Sequence, residues 1–413
     1  MANAFSLIFG AAVALMCLLR FWLAGRQIGH VLAHRGSVPP SFAGRIDLAA
    51  HQKAADYTVA RTRFGRFALA VEIAALLMLT LGGSVQAIHA FWSAHLEGLA
   101  YGVALIFSVL FVSAVVDLPL AVYRQFVIEE RFGFNRMSAR LFVADLARQA
   151  VLAIVVGGPA LLAVLWLMNE AGRLWWFAVW LFWCAFNLLL LFVYPTWIAP
   201  LFNRFVPLDD IALQARIEAL LARCGFASSG VLVMDGSKRS THGNAYFTGY
   251  GRTKRIVFFD TLLGRLQPAE TEAVLAHELG HFRHHHVTRR IALAFVLSLL
   301  FLAILGQLVD AGWFYRGLGV AAQNAAIGLV LFLLAGPVFI FLLTPLLSLL
   351  SRRDEFEADR YAAAQTSADD LVSALVKLYE DNATTLTPDP VYSLFYDSHP
   401  PAALRVARLQ EAG

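Results

Sequence analysis

"LAHELGHFRHHH" (residues 275–286) puts five histidines and one glutamate into twelve residues. The chain around it is oily: 413 residues, 59% hydrophobic and only 15% charged. Soluble globular proteins average roughly a quarter charged residues. The apolar residues here also come in long runs, which means a polytopic membrane protein. The stretch is therefore either the polar end of a membrane helix or a metal site built beside the bilayer. Its surroundings separate the two.

Seven apolar runs are long enough to cross a hydrocarbon core: 5–24, 67–88, 98–122, 142–168, 174–197, 290–311 and 324–350. A crossing needs roughly 20 residues. The first run has no preceding positive charge and no small-x-small cleavage pattern, so it reads as an anchor. Basic residues cluster after the first run (Arg26, Arg35, Arg45, Lys53, Arg61, Arg63, Arg66) and after the third (Arg124, Arg131, Arg136, Arg140). The N-terminus and loop 89–97 carry none, and the remaining two loops on that face carry only Arg173 and Arg316. The positive-inside rule then puts the N-terminus outside and the C-terminus in the cytoplasm. The expected organisation is 1–197 for spans one to five, 198–289 for a cytoplasmic segment, 290–350 for spans six and seven, and 351–413 for a second cytoplasmic segment. The net charge of +4 is modest and the basic residues flank apolar runs, so nucleic-acid binding is excluded in favour of a lipid bilayer. Cys17, Cys184 and Cys224 are too far apart for a thiolate metal site or a disulfide framework. Glu72, Asp117, Asp145 and Arg148 fall inside spans, where ionisable groups face water or one another.

Within the opening stretch, His277-Glu278-Leu279-Gly280-His281 is an HExxH. It follows a helix start, with Pro268 in the first turn and Glu270 and Glu272 near the positive end of the dipole. Residues four apart share a helix face, so His277 and His281 reach one metal and Glu278 sits beside them as a general base. This is the zinc-protease pattern. His284, His285 and His286 directly precede Thr288, Arg289 and Arg290 and read as interfacial residues at the start of span six. A two-histidine zinc needs a third protein ligand and leaves a position for water. "SRRDEFEADRYA" (351–362) offers it: Glu355 and Asp359 lie on one helical face. Glu355 fits as ligand and Asp359 as the carboxylate behind a ligating histidine, with Glu357 and Asp354 as alternatives by spacing. "NAYFTGYGRTKRIVFFD" (244–260) has two β-rich runs around a glycine-containing turn, a hairpin signal whose edge could pair with an extended substrate.

These motifs, in this order, resemble the type I CAAX prenyl endopeptidases, integral-membrane zinc metalloproteases of the gluzincin type. "FVIEERFGFN" (126–135), "YPTWIAPLFNRFVPL" (194–208), "DGSKRSTHGNAYFTGYGRTKRIVFFDTLL" (235–263), "SRRDEFEAD" (351–359) and "YDSHPPAALRVARL" (396–409) carry the resemblance. It implies an all-α polytopic fold of seven transmembrane helices around a large chamber, with a cytoplasmic protease domain containing a small β-hairpin. It implies one Zn2+ per chain on His277, His281 and Glu355, and Glu278 as the base. It further implies His399 at the oxyanion, and Asn244 and Arg405 at the substrate. The substrate implied is a peptide or lipidated peptide, cut to remove a C-terminal tripeptide. Glu72 and Asp117 would line the chamber. Two positions depart from the pattern: Leu404-Arg405 stands where the family has Glu-Arg, and Gly243 where it has Ser. The competing readings are a quality-control protease for membrane proteins, and a transporter or channel with regulatory metal sites. Against the latter, the sequence has no internal repeat.

Overall fold

The computed structural model describes residues 3–228, 230–248 and 255–412. Helix α1 (Ala4–Ala33) opens the chain, capped by Asn3, whose side chain accepts from the Ser6 N–H. The second expected span is broken. Helix α2 (Leu48–Leu79) ends at Thr80, and α3 (Ser84–Ser93) leaves at 47° to it. Gly82-Gly83 supplies the break, with Gly83 in the left-handed region at φ 78°. Helix α4 (Gly98–Tyr123) is followed by a π turn. Helices α5 (Ala139–Leu152) and α6 (Gly158–Glu170) are joined through another, and α7 (Trp175–Val193) completes the N-terminal set.

Next comes a region of mixed structure. Strand β1 (Phe205–Pro207) precedes α8 (Ile211–Arg223), then β2 (Val231–Met234), β3 (Ala245–Thr248) and β4 (Arg255–Phe259). The expected hairpin is β3–β4, antiparallel with Ala245 opposite Phe258; its turn, 249–254, lies outside the described residues. The hairpin belongs to a four-stranded sheet of order β1-β2-β4-β3, in which β2 and β4 are parallel. The sequence reading missed β1 and β2, whose three and four residues carry too little alternation to announce a strand. Strand β3 is left at an open edge.

A short helix α9 (Asp260–Leu263) leads to α10 (Pro268–Arg283), which carries the HExxH motif. Glu270 at its third position accepts from the Gln267 N–H at 2.7 Å and from Lys377 Nζ at 2.7 Å, which ties the helix start to its neighbour. Helix α11 (His286–Leu308) is the sixth span, followed by α12 (Gly312–Gly317) and α13 (Ala325–Ile340). After a 3-10 turn, α14 (Thr344–Gln365) runs on past the apolar stretch. The whole run Ala325–Gln365 has 41 residues, about twice what a crossing needs. Its far end therefore stands clear of the bilayer and holds Glu355 and Asp359. Helices α15 (Ala368–Asp381), α16 (Pro390–Tyr396) and α17 (Ala402–Ala412) finish the chain. Among the described residues, six helical runs are long and apolar enough to cross a membrane, and the bent α2–α3 pair makes seven.

Two cores hold the molecule. One joins α1, α4, α6, α7, α11 and α13, with Phe9, Leu105, Leu305 and Ile327 fully buried. The other joins α8, β4, α10, α14, α15 and α17 around Ile217, Phe258, Leu275, Leu279 and Val406. Phe42, from the loop between α1 and α2, sits at 0% exposure in this second core. Burying such a side chain is worth about 1.5–3 kcal/mol, so the loop is a strut rather than a free connection.

The intramembrane charges divide. Glu72 and Asp117 are exposed. Asp145 is buried, taking Arg148 at 2.7 Å and Arg239 at 2.8 Å. Arg239 also donates to Asn203 Oδ1 and the Phe202 carbonyl, so this cluster rivets α5 to the segments flanking the sheet.

Gly280 shows why the motif has glycine between its histidines. A Cβ at that position would stand 2.9 Å from Ala358 Cα and 3.1 Å from its carbonyl oxygen. Helices α10 and α14 can meet this closely only without a side chain there. Gly280→Ala is expected to cost about 1–3 kcal/mol by overpacking and to spread the two ligand-bearing helices. Thermal unfolding and bound-metal content, measured together, should both fall.

Candidate metal centre and active site

The two motif histidines and Glu355 converge where α10 crosses α14. His277 Nε2 lies 3.4 Å from Glu355 Oε2, and His281 Nε2 lies 3.4 Å from Glu355 Oε1. One donor atom from each of the three residues falls within 4.8 Å of the others. A tetrahedron with metal–ligand bonds of about 2.05 Å has edges of about 3.3 Å, so the spacing fits zinc. The donor set of two imidazoles and one carboxylate fits it as well. Glu355 Oε2 is buried with no hydrogen-bond partner, an expensive state for a carboxylate oxygen that a cation would relieve.

The electrostatics agree. Burial alone would lower the pKa of His277, but Asp359 and Glu355, set against its two ring nitrogens, raise it to about 9. Burial pushes His281 down to about 3, reinforced by the charge on His277. The two carboxylates thus favour the charged form of His277 at the place where the donors converge. Burial also raises the carboxyl of Glu278 above its ordinary range. Glu278 lines the same groove as Asn244, His277, Glu355, His399 and Arg405.

Asp359 stands behind His277, its Oδ1 2.9 Å from Nδ1. Arg405, only 5% exposed, grips Asp359 with two donors at 2.8 and 2.6 Å and reaches within 3.9 Å of Glu355. Leu404, which stands where the family pattern has Glu, is exposed, and Arg405 pairs with Asp359 of α14. In this fold Arg405 braces the triad from behind. His399 Nε2 lies 3.6 Å from Glu355 Oε2 on the groove side, with its side chain 62% exposed. Asn244 is exposed at the start of the edge strand. All the expected site residues thus come together. Of the carboxylates that fitted by spacing, Glu355 takes the central position, while Asp354 and Glu357 turn elsewhere.

They turn to His286, which overturns its reading as an interfacial residue. His286 is fully buried. Its Nδ1 is 2.9 Å from His281 Nδ1, and its Nε2 is 3.1 Å from Glu357 Oε2 and 3.6 Å from Asp354. The chain reaches this arrangement by turning at His285, whose φ of 56° is in the left-handed region. Such backbone in a non-glycine residue costs of order 1–3 kcal/mol and persists only where surrounding contacts enforce it. The spacing His281-x-x-x-x-His286 was visible in the sequence. Nothing in it revealed the turn that folds the second histidine back onto the first.

Comparison with known proteins matches this arrangement. Residues 27–204 fit the family model described as CAAX prenyl protease N-terminal, five membrane helices, and residues 207–412 fit Peptidase family M48. The CAAX prenyl protease 1 homolog of Arabidopsis thaliana is 36% identical, over 71% of this chain and 70% of its own. The Homo sapiens CAAX prenyl protease 1 homolog is 31% identical over 98% and 95%. The crystal structure of S. mikatae Ste24p superposes with a TM-score of 0.91 at 30% identity, covering 99% of both chains. With six to seven membrane-capable helices, a metal-binding donor set and an HExxH glutamate in one groove, the chain belongs to peptidase family M48, as an integral, multi-pass membrane metalloendopeptidase.

Proposed function

We propose that the chain cleaves near the C-terminus of lipidated, CAAX-like peptides, using one zinc ion per chain held by His277, His281 and Glu355. The observation that carries this is the triad of donors with 3.4 Å edges in the groove that Asn244, at the start of edge strand β3, also lines. When bound, the ion supplies a Lewis acid that polarises the scissile carbonyl and acidifies water toward a pKa of about 7. Glu278 accepts the proton of the attacking water and passes it to the leaving amine. Its raised pKa suits that exchange, since a carboxyl nearer neutrality can both take and give. His399 donates to the oxyanion from the groove side. Asn244 and the edge of β3 hold the substrate backbone extended. Asp359 fixes the ring of His277, and Arg405 fixes Asp359.

His286 plays the matching part for His281. If His281 offers Nε2 to the ion, its Nδ1 carries the hydrogen and donates to His286 Nδ1; His286 Nε2–H then donates to Glu357. His286→Ala is expected to weaken zinc affinity about 10–100-fold, as loss of such an outer partner does. His286→Gln, which keeps an acceptor oxygen, should recover part of the loss in chelator competition.

His277 would also have to give up a proton to serve as a ligand. Its raised pKa favours the protonated ring, and a ligand must be neutral, so affinity falls as pH drops below about 9. Calorimetry near neutral pH in buffers of different ionisation heat should report close to one proton released per zinc.

The protease segments, 198–289 and 351–413, belong in the cytoplasm on this reading, with the N-terminus on the opposite side, because loop charge follows the positive-inside rule. Mass spectrometry of the products from a farnesylated CAAX peptide and its unlipidated twin tests the function. Release of a C-terminal tripeptide, faster from the lipidated substrate, is expected. Cleavage of neither peptide by zinc-loaded protein would overturn the reading.

A further inference from the structure

Beside the catalytic groove lies a second cavity of about 470 Å3, between α1, α2 and α16. The two share six lining residues: Gln27, Asn382, Thr384, Thr385, Tyr396 and Asp397. The second cavity is also lined by Arg20 of α1 and by Arg61 and Arg66 of α2. Arg20 donates to the Tyr396 hydroxyl at 3.3 Å and approaches Glu72 at 3.9 Å. Arg61 lies over the Tyr57 ring at 5.3 Å, beside the Tyr57 hydroxyl and in the field of Glu129, and Arg66 lies over Phe21 at 5.4 Å. Neither forms an ion pair among the described residues. Stacking on a ring holds a guanidinium in place while leaving in-plane donors for fork recognition of a carboxylate, most of all at Arg66. Two acids lie near, Glu129 in the field of Arg61 and Asp397 on the cavity lining. Glu129 accepts the Tyr57 hydroxyl at 2.8 Å and faces His242 at 3.7 Å, and Asp397 lies on the shared wall toward the groove.

The sheet supplies a direction. Strand β3 is the edge of the order β1-β2-β4-β3. A peptide pairing antiparallel to it, the stronger of the two pairings, runs its C-terminal half toward the strand's start at Asn244. The preceding residue, Gly243, donates its N–H to Asn382 Oδ1 at 3.2 Å, and Asn382 lines both cavities. Residues after the scissile bond are therefore led out of the groove toward the arginines. Three extended residues reach about 10 Å. A sphere of 470 Å3 is about 10 Å across, so the cavity can take a short peptide end.

We propose that this cavity binds the free C-terminal carboxylate of the peptide substrate, with Arg61 and Arg66 supplying the charge and Arg20 with Tyr396 closing one side. The site measures how far the cut falls from the chain end, and so makes the enzyme a counter of C-terminal residues. This rests on the reading that the substrate is a peptide cut near its C-terminus.

The test uses the full-length zinc-loaded chain in vesicles and one lipidated peptide made with a free acid or an amide at its C-terminus. The acid is expected to be cut with kcat/KM ~10–100-fold higher, the worth of a charge-assisted hydrogen bond. Arg61→Gln and, separately, Arg66→Gln should each bring that acid-to-amide ratio toward one. Equal rates for acid and amide with the unmutated chain would overturn the proposal and leave the endopeptidase reading standing. Failure to cut either peptide would overturn both. A ratio unchanged by the substitutions, with activity instead losing its dependence on added phosphatidylserine, would overturn the proposal by making the cavity a lipid headgroup site. The acid-against-amide comparison needs no variant, so poor folding of a substituted chain does not shield the proposal.

Discussion

Glu278→Gln is expected to lower peptide hydrolysis by about 10³-fold while the protein keeps its zinc. General acid–base catalysis by a placed side chain is worth about 10²–10⁴-fold, and no other carboxylate lines the groove in a position to replace this one. Glu355 is committed to the two histidines, and Asp397 lines the wall shared with the second cavity, beside Ser393 and Arg352. The amide matches the carboxylate in shape and keeps α10 packed, but it cannot accept the water proton. Zinc content should stay at the unmutated level because Glu278 is not among the converging donors. Product release followed by mass spectrometry, with metal analysis of the same sample, reads both quantities. Unimpaired turnover would remove Glu278 from the mechanism; loss of zinc together with activity would mean that it acts by holding the metal site.

The second large effect is on stability. Arg405→Ala should destabilise the protein by about 3–5 kcal/mol, the cost of breaking a buried ion pair by removing one partner. Arg405 and Asp359 are 5% and 3% exposed, and their two contacts at 2.8 and 2.6 Å hold α17 to α14. Without the guanidinium, His277 is the one basic group among the described residues in contact with both Asp359 and Glu355. Arg405→Lys should restore little, because an ammonium cannot make the paired contact. Adding Asp359→Asn to Arg405→Ala should recover part of the loss, since it removes the uncompensated charge. Thermal unfolding in detergent, with and without zinc, measures each step. A shift of under 1 kcal/mol for the alanine variant would show that water enters and solvates the site.

Local patterns made the site readable where its geometry is local. His277 and His281 share a face because four residues make about one helical turn, and the glutamate beside them follows from the same periodicity. The helix start at Pro268 is equally local. The span positions follow from long apolar runs, though the second run concealed a break that Gly82-Gly83 makes. Glu355 was harder. Three other acids stood within four residues of it, and spacing alone left Asp354 and Glu357 open. The crossing of α10 over α14, as close as Gly280 allows, points Glu355 at the histidines and turns the other two toward His286 and the arginines of α11.

The sequence by itself determined the membrane class, the metal-binding helix and the family, because each rests on composition, on the period of a helix or on motifs in a fixed order. The tertiary structure decided which partners those residues meet. Arg405 with Asp359, His286 with His281, the open edge of β3 and the arginine-lined cavity join segments far apart in the chain. Contacts of that kind depend on how helices cross and how strands are ordered, and neither the spacing nor the charge of residues along a single chain encodes a distance in space.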